Sequence, residues 1–443
     1  MWRFCVAVVV ACVAALPAHA LDLRQPAPSV SPLLGISFPG NTPDLYDYLV
    51  DAGIGRARIS ASWRRIQPTA GQWDFVDLDR RVQGLQARGI APFVTFESDA
   101  DWATRPETQK VKNAVPQNKA EWAQFVSAVV ERYDGDGIDD MQGLAAPIRH
   151  YQAANEFTSD TNASGGWAGT NAELLEYVNT ARAAVRHADP AAVFVLGGLA
   201  AFVADAVLVN QGHADWTLRQ QMEDGRELVM PPERLRTPKI TALVEGRVRY
   251  LLQNADYDMA DIHLYGPQER DDLRLALLRE WSGRPVMSSE CGGPNLDYGD
   301  TYTPEGHFMQ AITRNLDLLS QGAAVCMWFG LGEEMRTTVG NARVPLYDMQ
   351  RQPKPAVFAY RLLARILPLA QRIERIEGGW QITDAQGQDL QIYREGRAPV
   401  GTTTHCVAKT DLSRVVEATN GVSCVNEMLV FAGPLGKTAF TQK

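Results

Sequence analysis

The stretch HYQAANEF, residues 150–157, has the pattern of a buried β-strand, yet it ends in an amide and a carboxylate, Asn155 and Glu156. Burying an unpaired carboxylate costs several kcal/mol or changes its pKa. A carboxylate at this position therefore indicates a functional role. A second apolar run, PVMSSECG at residues 285–292, carries Glu290 near its end.

Short apolar runs of this kind alternate with amphipathic helical stretches from about residue 33 to residue 370. Such alternation is typical of βα units around a parallel sheet. The predicted strands are LLGISF (33–38), RARISA (56–61), IAPFVTF (90–96), HYQAANEF (150–157), VFVLGGL (193–199), ADIHLYG (260–266), PVMSSECG (285–292) and AAVCMWFG (323–330). Because eight strands with helical crossovers close into a barrel, we predict an α/β fold, a (β/α)8 TIM barrel over residues 31–370.

The connections between the predicted strands contain helices, and two connections are unusually long. NKAEWAQFVSAVVERY (118–133) and NAELLEYVNTARAAVRHA (171–188) are amphipathic, and Thr170 or Asn171 is a candidate N-cap of the second helix. The long connections, residues 97–118 and about 200–255, exceed the usual few residues. We expect them to shape a substrate cleft.

Both ends of the chain differ from the barrel region. Residues 1–20 contain one Arg, an apolar run and the small-residue site Ala18-His19-Ala20, which predicts a secretory signal peptide cleaved after Ala20. A lipoprotein signal at Cys12 is the alternative. Residues 371–443 alternate over short runs and predict a small β-sandwich-like domain. The protein is therefore expected to be exported, either periplasmic or secreted.

Cysteine usage and charge limit the classes of partner. Signal cleavage leaves four of the six cysteines, of which Cys406 and Cys424 are predicted to form a disulfide, whereas Cys291 and Cys326 are expected to be buried thiols. No spacing resembles a zinc site, so we expect neither metal nor cofactor. The net charge of -9 without a basic block argues against binding to nucleic acid or an anionic membrane surface.

The strand-end carboxylates point to a reaction class. Glu156 ends the fourth predicted strand and Glu290 the seventh, and these strands face each other across the mouth of a barrel. Cleavage of a glycosidic bond with retention requires two carboxyl groups about 5–5.5 Å apart. The Asn-Glu dipeptide recurs at Asn426-Glu427, so it is the second strand-end carboxylate that gives Glu156 its significance.

The segments GRARISASWRRIQPTAGQWDFVDLDRRVQGLQARGIAPFVTF (55–96) and EWAQFVSAVVERYDGDGIDDMQGLAAPIRHYQAANEF (121–157) resemble the clan A retaining glycoside hydrolases, most closely family 39. The resemblance covers essentially the whole predicted barrel. It implies that Glu156 is the acid/base catalyst and Glu290 the nucleophile. It also implies that Asn155 binds the 2-hydroxyl of the sugar.

The same resemblance implies roles for four further residues. Arg58, in ARISASW, matches an arginine near the nucleophile, although an outward, salt-bridged arginine is the alternative. His263 and Tyr265, in DIHLYG, match the strand-six position that contacts the nucleophile, and a purely structural His263 remains open. Trp328, in CMWFG, matches a tryptophan that forms a floor under the cleaved sugar.

These features predict an exported retaining β-glycoside hydrolase that acts within a polysaccharide, with oligosaccharide or polysaccharide as its partner. Endo action is expected because the long connections and three tryptophans, Trp63, Trp102 and Trp167, would line an open cleft. Two alternatives stay open: a non-catalytic carbohydrate-binding barrel protein, and a transglycosylase that uses the same site.

Overall fold

The computed structural model describes residues 21–221, 225–295, 298–332, 345–395, 397, 402–418, 424 and 426–440. The predicted signal peptide, residues 1–20, lies outside the described residues. Within the described ranges, no helix combines the length and the apolar character needed to span a membrane.

Eight parallel strands form a closed barrel, which confirms the predicted fold class. They are β1 Ser31–Ser37, β2 Ile54–Ser62, β3 Ala91–Glu97, β4 His150–Ala153, β5 Val193–Leu199, β6 Met259–Leu264, β7 Val286–Cys291 and β8 Cys326–Phe329. Each strand pairs with its neighbours in chain order, and β8 closes the barrel on β1. All eight predicted strands are present, and their carboxyl ends form the mouth.

Helices surround the barrel. The α-helices are Asp47–Ala52, Trp63–Ile66, Val76–Gln86, Lys119–Glu131, Asn171–Ala188, Ala201–Asn210, Pro232–Leu235, Pro238–Leu243, Tyr250–Asn254, Asp271–Ser282, Pro304–Ser320, Pro355–Ile366 and Leu435–Phe440. The helix Asn171–Ala188 has the predicted bounds, and its N-cap is Thr170, whose hydroxyl accepts the N–H of Glu173 in a capping box. A short hairpin, Leu218–Gln221 with Glu227–Met230, lies in the long connection between β5 and β6.

The end of β4 departs from the predicted strand. The strand stops at Ala153, and residues 154–157, which were predicted to continue it, turn outward at the mouth. Ala154 and Glu156 adopt left-handed φ angles of 67° and 48°, which L-residues other than Asn and Asp seldom adopt. The Glu156 N–H donates to the Gly198 carbonyl of β5 at 3.1 Å. Strained backbone of this kind concentrates at functional sites.

Among its described residues, the C-terminal region forms one antiparallel sheet of seven strands rather than the two packed sheets of a sandwich. It comprises β9 Arg372–Ile376, β10 Gly379–Thr383, β11 Asp389–Arg394, β12 Thr403–Ala408, β13 Asp411–Glu417 and β14 Leu429–Ala432, with Leu21–Asp22 added at the edge beside β13. The sheet packs on the barrel, where the buried Trp380 Nε1 donates to Asp317 Oδ1 at 2.8 Å. Because Leu21–Asp22 pairs with β13, the first described residues are joined to the C-terminal sheet.

Two disulfides join the four described cysteines. Cys406–Cys424 confirms the predicted bond. Cys291 and Cys326 also form a disulfide, with Cα atoms 6.1 Å apart, so the prediction of free buried thiols was wrong. The reason is that β7 and β8 are neighbours, which brings two residues 35 positions apart in sequence within bonding range.

We expect thiol labelling of unreduced, unfolded mature protein to find no free cysteine. Replacing Cys406 and Cys424 together by serine should lower the free energy of unfolding by about 3 kcal/mol, because the bond closes a short loop. Peptide mapping by mass spectrometry checks the labelling. Two reactive thiols at Cys291 and Cys326 would contradict the second disulfide.

Candidate active site

Glu290, at the end of β7, lies in a pocket of hydrogen-bond donors. Arg58 Nη1 donates to its Oε1 at 2.6 Å, and the Tyr265 hydroxyl donates to its Oε2 at 3.0 Å. The residue is only 7% exposed. Burial alone would raise the pKa of Glu290, but the charges of His263 and Arg58 and the two hydrogen bonds outweigh it and hold the pKa below its ordinary value. Glu290 is therefore ionised at neutral pH.

Arg58, on β2, links Glu290 to the rest of the mouth. Its Nε donates to Thr95 Oγ1 at 2.8 Å and to Gln152 Oε1 at 3.0 Å, so the guanidinium is held by β3 and β4. Its Nη2 donates to Asn155 Oδ1 at 2.7 Å. The arginine thus points into the mouth rather than outward, and one fixed cation contacts both Glu290 and Asn155.

Glu156 accepts a hydrogen bond at each carboxylate oxygen. His263 Nδ1 lies 2.9 Å from Oε1, and Asn162 Nδ2 donates to Oε2 at 2.5 Å. His263 Nδ1 is also 3.5 Å from Glu290 Oε2. One carboxylate oxygen from each glutamate and one His263 nitrogen all lie within 4.8 Å of one another. The side chain of Glu156 is 21% exposed and that of Glu290 10%, so Glu156 is the more exposed of the two glutamates.

His263 lies between the two carboxylates and is fully buried. Burial lowers the pKa of His263, but the nearby Glu290 and Glu156 carboxylates overcome this effect and raise the pKa above its ordinary value. The imidazole packs against Gly198, where an added Cβ would lie 2.0 Å from Nε2. A glycine on β5 is therefore required for His263 to reach both glutamates.

Asp261 and Asn162 were missed by sequence reasoning. Asp261 is buried, and it accepts hydrogen bonds from Ser289 Oγ at 2.5 Å and from Gln152 Nε2 at 2.6 Å. It thereby ties β6 to β7 and β4 beneath the glutamates. An acidic residue inside the apolar run ADIHLYG was a usable signal for it, whereas nothing in the sequence marked Asn162 as a contact of Glu156.

Glu156, His263 and Glu290 are close enough to hold a metal ion. Their surroundings oppose a cation, because the Arg58 guanidinium already neutralises Glu290 and the raised pKa of His263 favours its protonated form. Protonated imidazole cannot act as a metal ligand. The donor set therefore fits proton transfer and nucleophilic attack better than metal binding.

A cleft of about 1270 Å³ opens from Glu290 and Asn155 across the ends of β2 and β3. The predicted tryptophan lining was wrong for Trp63 and Trp167, since both are fully buried, and Trp102 is half-buried with its indole N–H on the Gln67 carbonyl. Trp63 instead stacks on Phe125 of the helix Lys119–Glu131. Polar and charged side chains form much of the cleft wall.

Trp328, on β8, is fully buried, and its ring packs near His307 and Tyr360 of the outer helices. The preceding Met327 belongs to the apolar cluster inside the barrel, and successive side chains of a strand point to opposite faces. This placement does not fit the expected floor under a sugar. Phe329 lies beside Phe38, with ring centroids 4.8 Å apart, and Phe38 lines the cleft.

The closed eight-stranded barrel has the same fold as glycoside hydrolases of solved structure, family 39 enzymes among them. One similar structure is a glucosidase from Croceicoccus marinus, at 14% identity and TM-score 0.58, covering 91% of this chain and 84% of that chain. Another is a GH39 β-xylosidase from Caulobacter crescentus, at 16% identity and TM-score 0.52, covering 86% of this chain and 81% of that chain.

A family 39 glycoside hydrolase from the gut symbiont Bacteroides cellulosilyticus is also similar, at 14% identity and TM-score 0.54, covering 94% of this chain and 82% of that chain. No protein-family model matches the sequence, and no curated protein matches it. At these identities the likeness establishes the fold.

Proposed function

We propose that the protein is an exported retaining β-glycoside hydrolase that cleaves a polysaccharide by double displacement. The observation that carries the proposal is the pair of glutamates, of which one carboxylate oxygen each lies within 4.8 Å of the other. Retaining enzymes place their two carboxyl groups about 5–5.5 Å apart, whereas inverting enzymes leave a gap of about 6.5–9.5 Å for a water molecule.

In the first step the ionised Glu290 attacks the anomeric carbon. Glu156 donates its proton to the glycosidic oxygen, the bond between that oxygen and the anomeric carbon breaks, and a glycosyl ester on Glu290 forms. In the second step Glu156 takes a proton from water, the resulting hydroxide attacks the anomeric carbon, and Glu290 leaves as a carboxylate. Two inversions give net retention.

The neighbouring groups suit these roles. Arg58 and Tyr265 keep Glu290 ionised by donating to both of its oxygens. His263 contacts Glu156 and lies near Glu290, so it can stabilise negative charge at either carboxylate as charge moves between them. Asn155, at the cleft wall and held by Arg58, is proposed to bind the sugar 2-hydroxyl.

The cleft volume supports endo action, because 1270 Å³ exceeds the roughly 300–1,000 Å³ of a pocket for one small ligand. Export remains a prediction from residues 1–20. A non-catalytic barrel would have no need for a buried and a half-buried carboxylate held beside one another. A transglycosylase would share the glycosyl ester and differ only in the acceptor.

Activity should be screened on aryl β-glycosides and polysaccharides, beginning with glucosides and xylosides because similar structures include a glucosidase and a β-xylosidase. NMR of the first-formed sugar should show the β-anomer. Initial release of the α-anomer would contradict the proposed mechanism. Transfer to an added sugar at the expense of hydrolysis would favour transglycosylation.

We expect Tyr265→Phe to lower kcat/KM about 10- to 100-fold, because a hydrogen bond to a charged group is lost. Glu290 must be ionised to attack, so the rate falls as the pH falls through its pKa. Since the Tyr265 hydroxyl helps to lower that pKa, its removal should raise the pKa and move the acid limb of the pH profile to higher pH.

Tyr250→Phe is the matched control, since Tyr250 is 37% exposed on a helix of the long connection. Its pH profile should equal that of the wild type. An unchanged acid limb in Tyr265→Phe would show that the hydroxyl does not stabilise the ionised nucleophile.

A further inference from the structure

Asn162 lies in the connection after β4, and the orientation of its carboxamide is fixed. The Oδ1 atom accepts the backbone N–H of Ser164 at 2.9 Å. This contact leaves Nδ2 facing Glu156, where it donates to Oε2 at 2.5 Å. Exchanging the amide oxygen and nitrogen would place two acceptors together at Glu156 and two donors together at Ser164.

The backbone around Asn162 is tied to Asn155, the neighbour of Glu156. Asn155 Nδ2 donates to the Ser164 carbonyl at 3.2 Å, and the Gly166 N–H donates to the Asn155 carbonyl at 3.0 Å. Asn113 Nδ2 binds the carbonyls of both Asn155 and Gly166 at 2.8 Å. Asn162 and Glu156 therefore belong to one hydrogen-bonded unit, and their contact is held from both sides.

An amide N–H can donate but not accept, so Asn162 stabilises Glu156 as a carboxylate. Protonated His263 likewise donates from Nδ1 to the other carboxylate oxygen, Oε1. The carboxylate is the form that Glu156 takes after it has protonated the leaving oxygen, and the form that must remove a proton from water. A donor at Oε2 therefore favours the step in which Glu156 gives up its proton, and the fixed contact orients the carboxyl group in both proton transfers.

We propose that Asn162 is a positioning residue for the acid/base catalyst, orienting the Glu156 carboxyl group in both proton transfers and stabilising the carboxylate that forms when the glycosidic oxygen is protonated. This inference rests on the proposed function. It gives the connection after β4 a part in the reaction that is exerted through Glu156. It also predicts a signature specific to acid/base catalysis, since attack by Glu290 does not involve Asn162.

The test compares wild type, Asn162→Ala, Glu156→Ala and Thr161→Ala on aryl glycosides with good and poor leaving groups. Thr161 is the matched control, because it is an exposed residue of the same connection whose side chain contacts Ser159 and not Glu156. Asn162→Ala should lose about 10- to 100-fold in kcat/KM on the phenyl glycoside and less than about threefold on the dinitrophenyl glycoside.

The dinitrophenolate needs no proton to leave, so that substrate bypasses the acid. Azide should raise the turnover of Asn162→Ala on the dinitrophenyl glycoside, because azide attacks the glycosyl ester without needing a base. Thr161→Ala should match wild type in its leaving-group dependence and in its response to azide. Equal losses of Asn162→Ala on the two substrates, or no response to azide, would overturn the inference if Glu156→Ala shows both effects. If wild type is active and Glu156→Ala shows neither effect, the proposed function fails, and the inference falls with it.

Discussion

Replacing Glu290 by alanine should abolish formation of the glycosyl ester and lower kcat by roughly four orders of magnitude or more, as expected when a covalent nucleophile is removed. The variant leaves the buried Arg58 without its carboxylate partner, which destabilises the fold. Glu290→Gln, which preserves shape, should therefore be measured beside it, and circular dichroism should verify that both variants are folded.

Azide should restore activity to Glu290→Ala on an activated β-glycoside, because the small anion can enter the space left by the carboxyl group. Since azide attacks directly from the face opposite the leaving group, the glycosyl azide should have the inverted, α configuration. NMR of the product determines the anomer. A β-azide would reverse the assigned roles of Glu290 and Glu156, and unchanged activity would remove Glu290 from the mechanism.

Replacing Glu156 by alanine should have the second largest effect, and it should depend on the substrate. Glycosides with poor leaving groups should lose about 10²- to 10⁴-fold in kcat/KM, because no acid protonates the departing oxygen. Substrates with good leaving groups should still form the ester on Glu290, and this ester should accumulate because no base activates water. A burst of released phenol followed by slow turnover is the expected record in stopped-flow absorbance.

Azide should rescue Glu156→Ala through attack on the accumulated ester, giving the β-azide with retained configuration. Glu427→Ala is a useful control, since Glu427 follows Asn426 as Glu156 follows Asn155 but lies in the C-terminal region. It should retain the wild-type leaving-group dependence. Equal losses of Glu156→Ala on good and poor leaving groups would contradict its role as the acid.

The barrel was predictable from sequence because each strand is a distinct apolar run between polar connections. β5 has the predicted bounds, Val193–Leu199, and the helix Asn171–Ala188 also has its predicted bounds. β4 was predicted too long because its last residues turn through left-handed φ angles at Ala154 and Glu156, neither of which is glycine. Local sequence carries no reliable signal for such strained turns.

Contacts between distant residues were only partly predictable. The resemblance placed Arg58, Tyr265 and Glu290 near one another, but it said nothing of Asn162 or of the disulfide between Cys291 and Cys326. The pairing of cysteines depends on the register of β7 against β8, which sequence alone does not determine.

The orientation of aromatic residues was the least predictable feature. Trp63 and Trp167 follow the ends of β2 and β4 in sequence, yet both rings are fully buried, because large apolar surfaces are stabilised by burial. A residue's position at a strand end does not fix the side to which its ring turns.

The most direct test of the proposed double displacement is to trap its covalent intermediate. Wild-type protein should be incubated with a fluorinated, activated analogue of whichever β-glycoside it cleaves, since the fluorine slows hydrolysis of the glycosyl ester more than its formation. Intact mass spectrometry should then show one added sugar per chain, and peptide mapping should place it on Glu290. An adduct on another residue, or rapid turnover of the analogue with an inverted product, would contradict the mechanism.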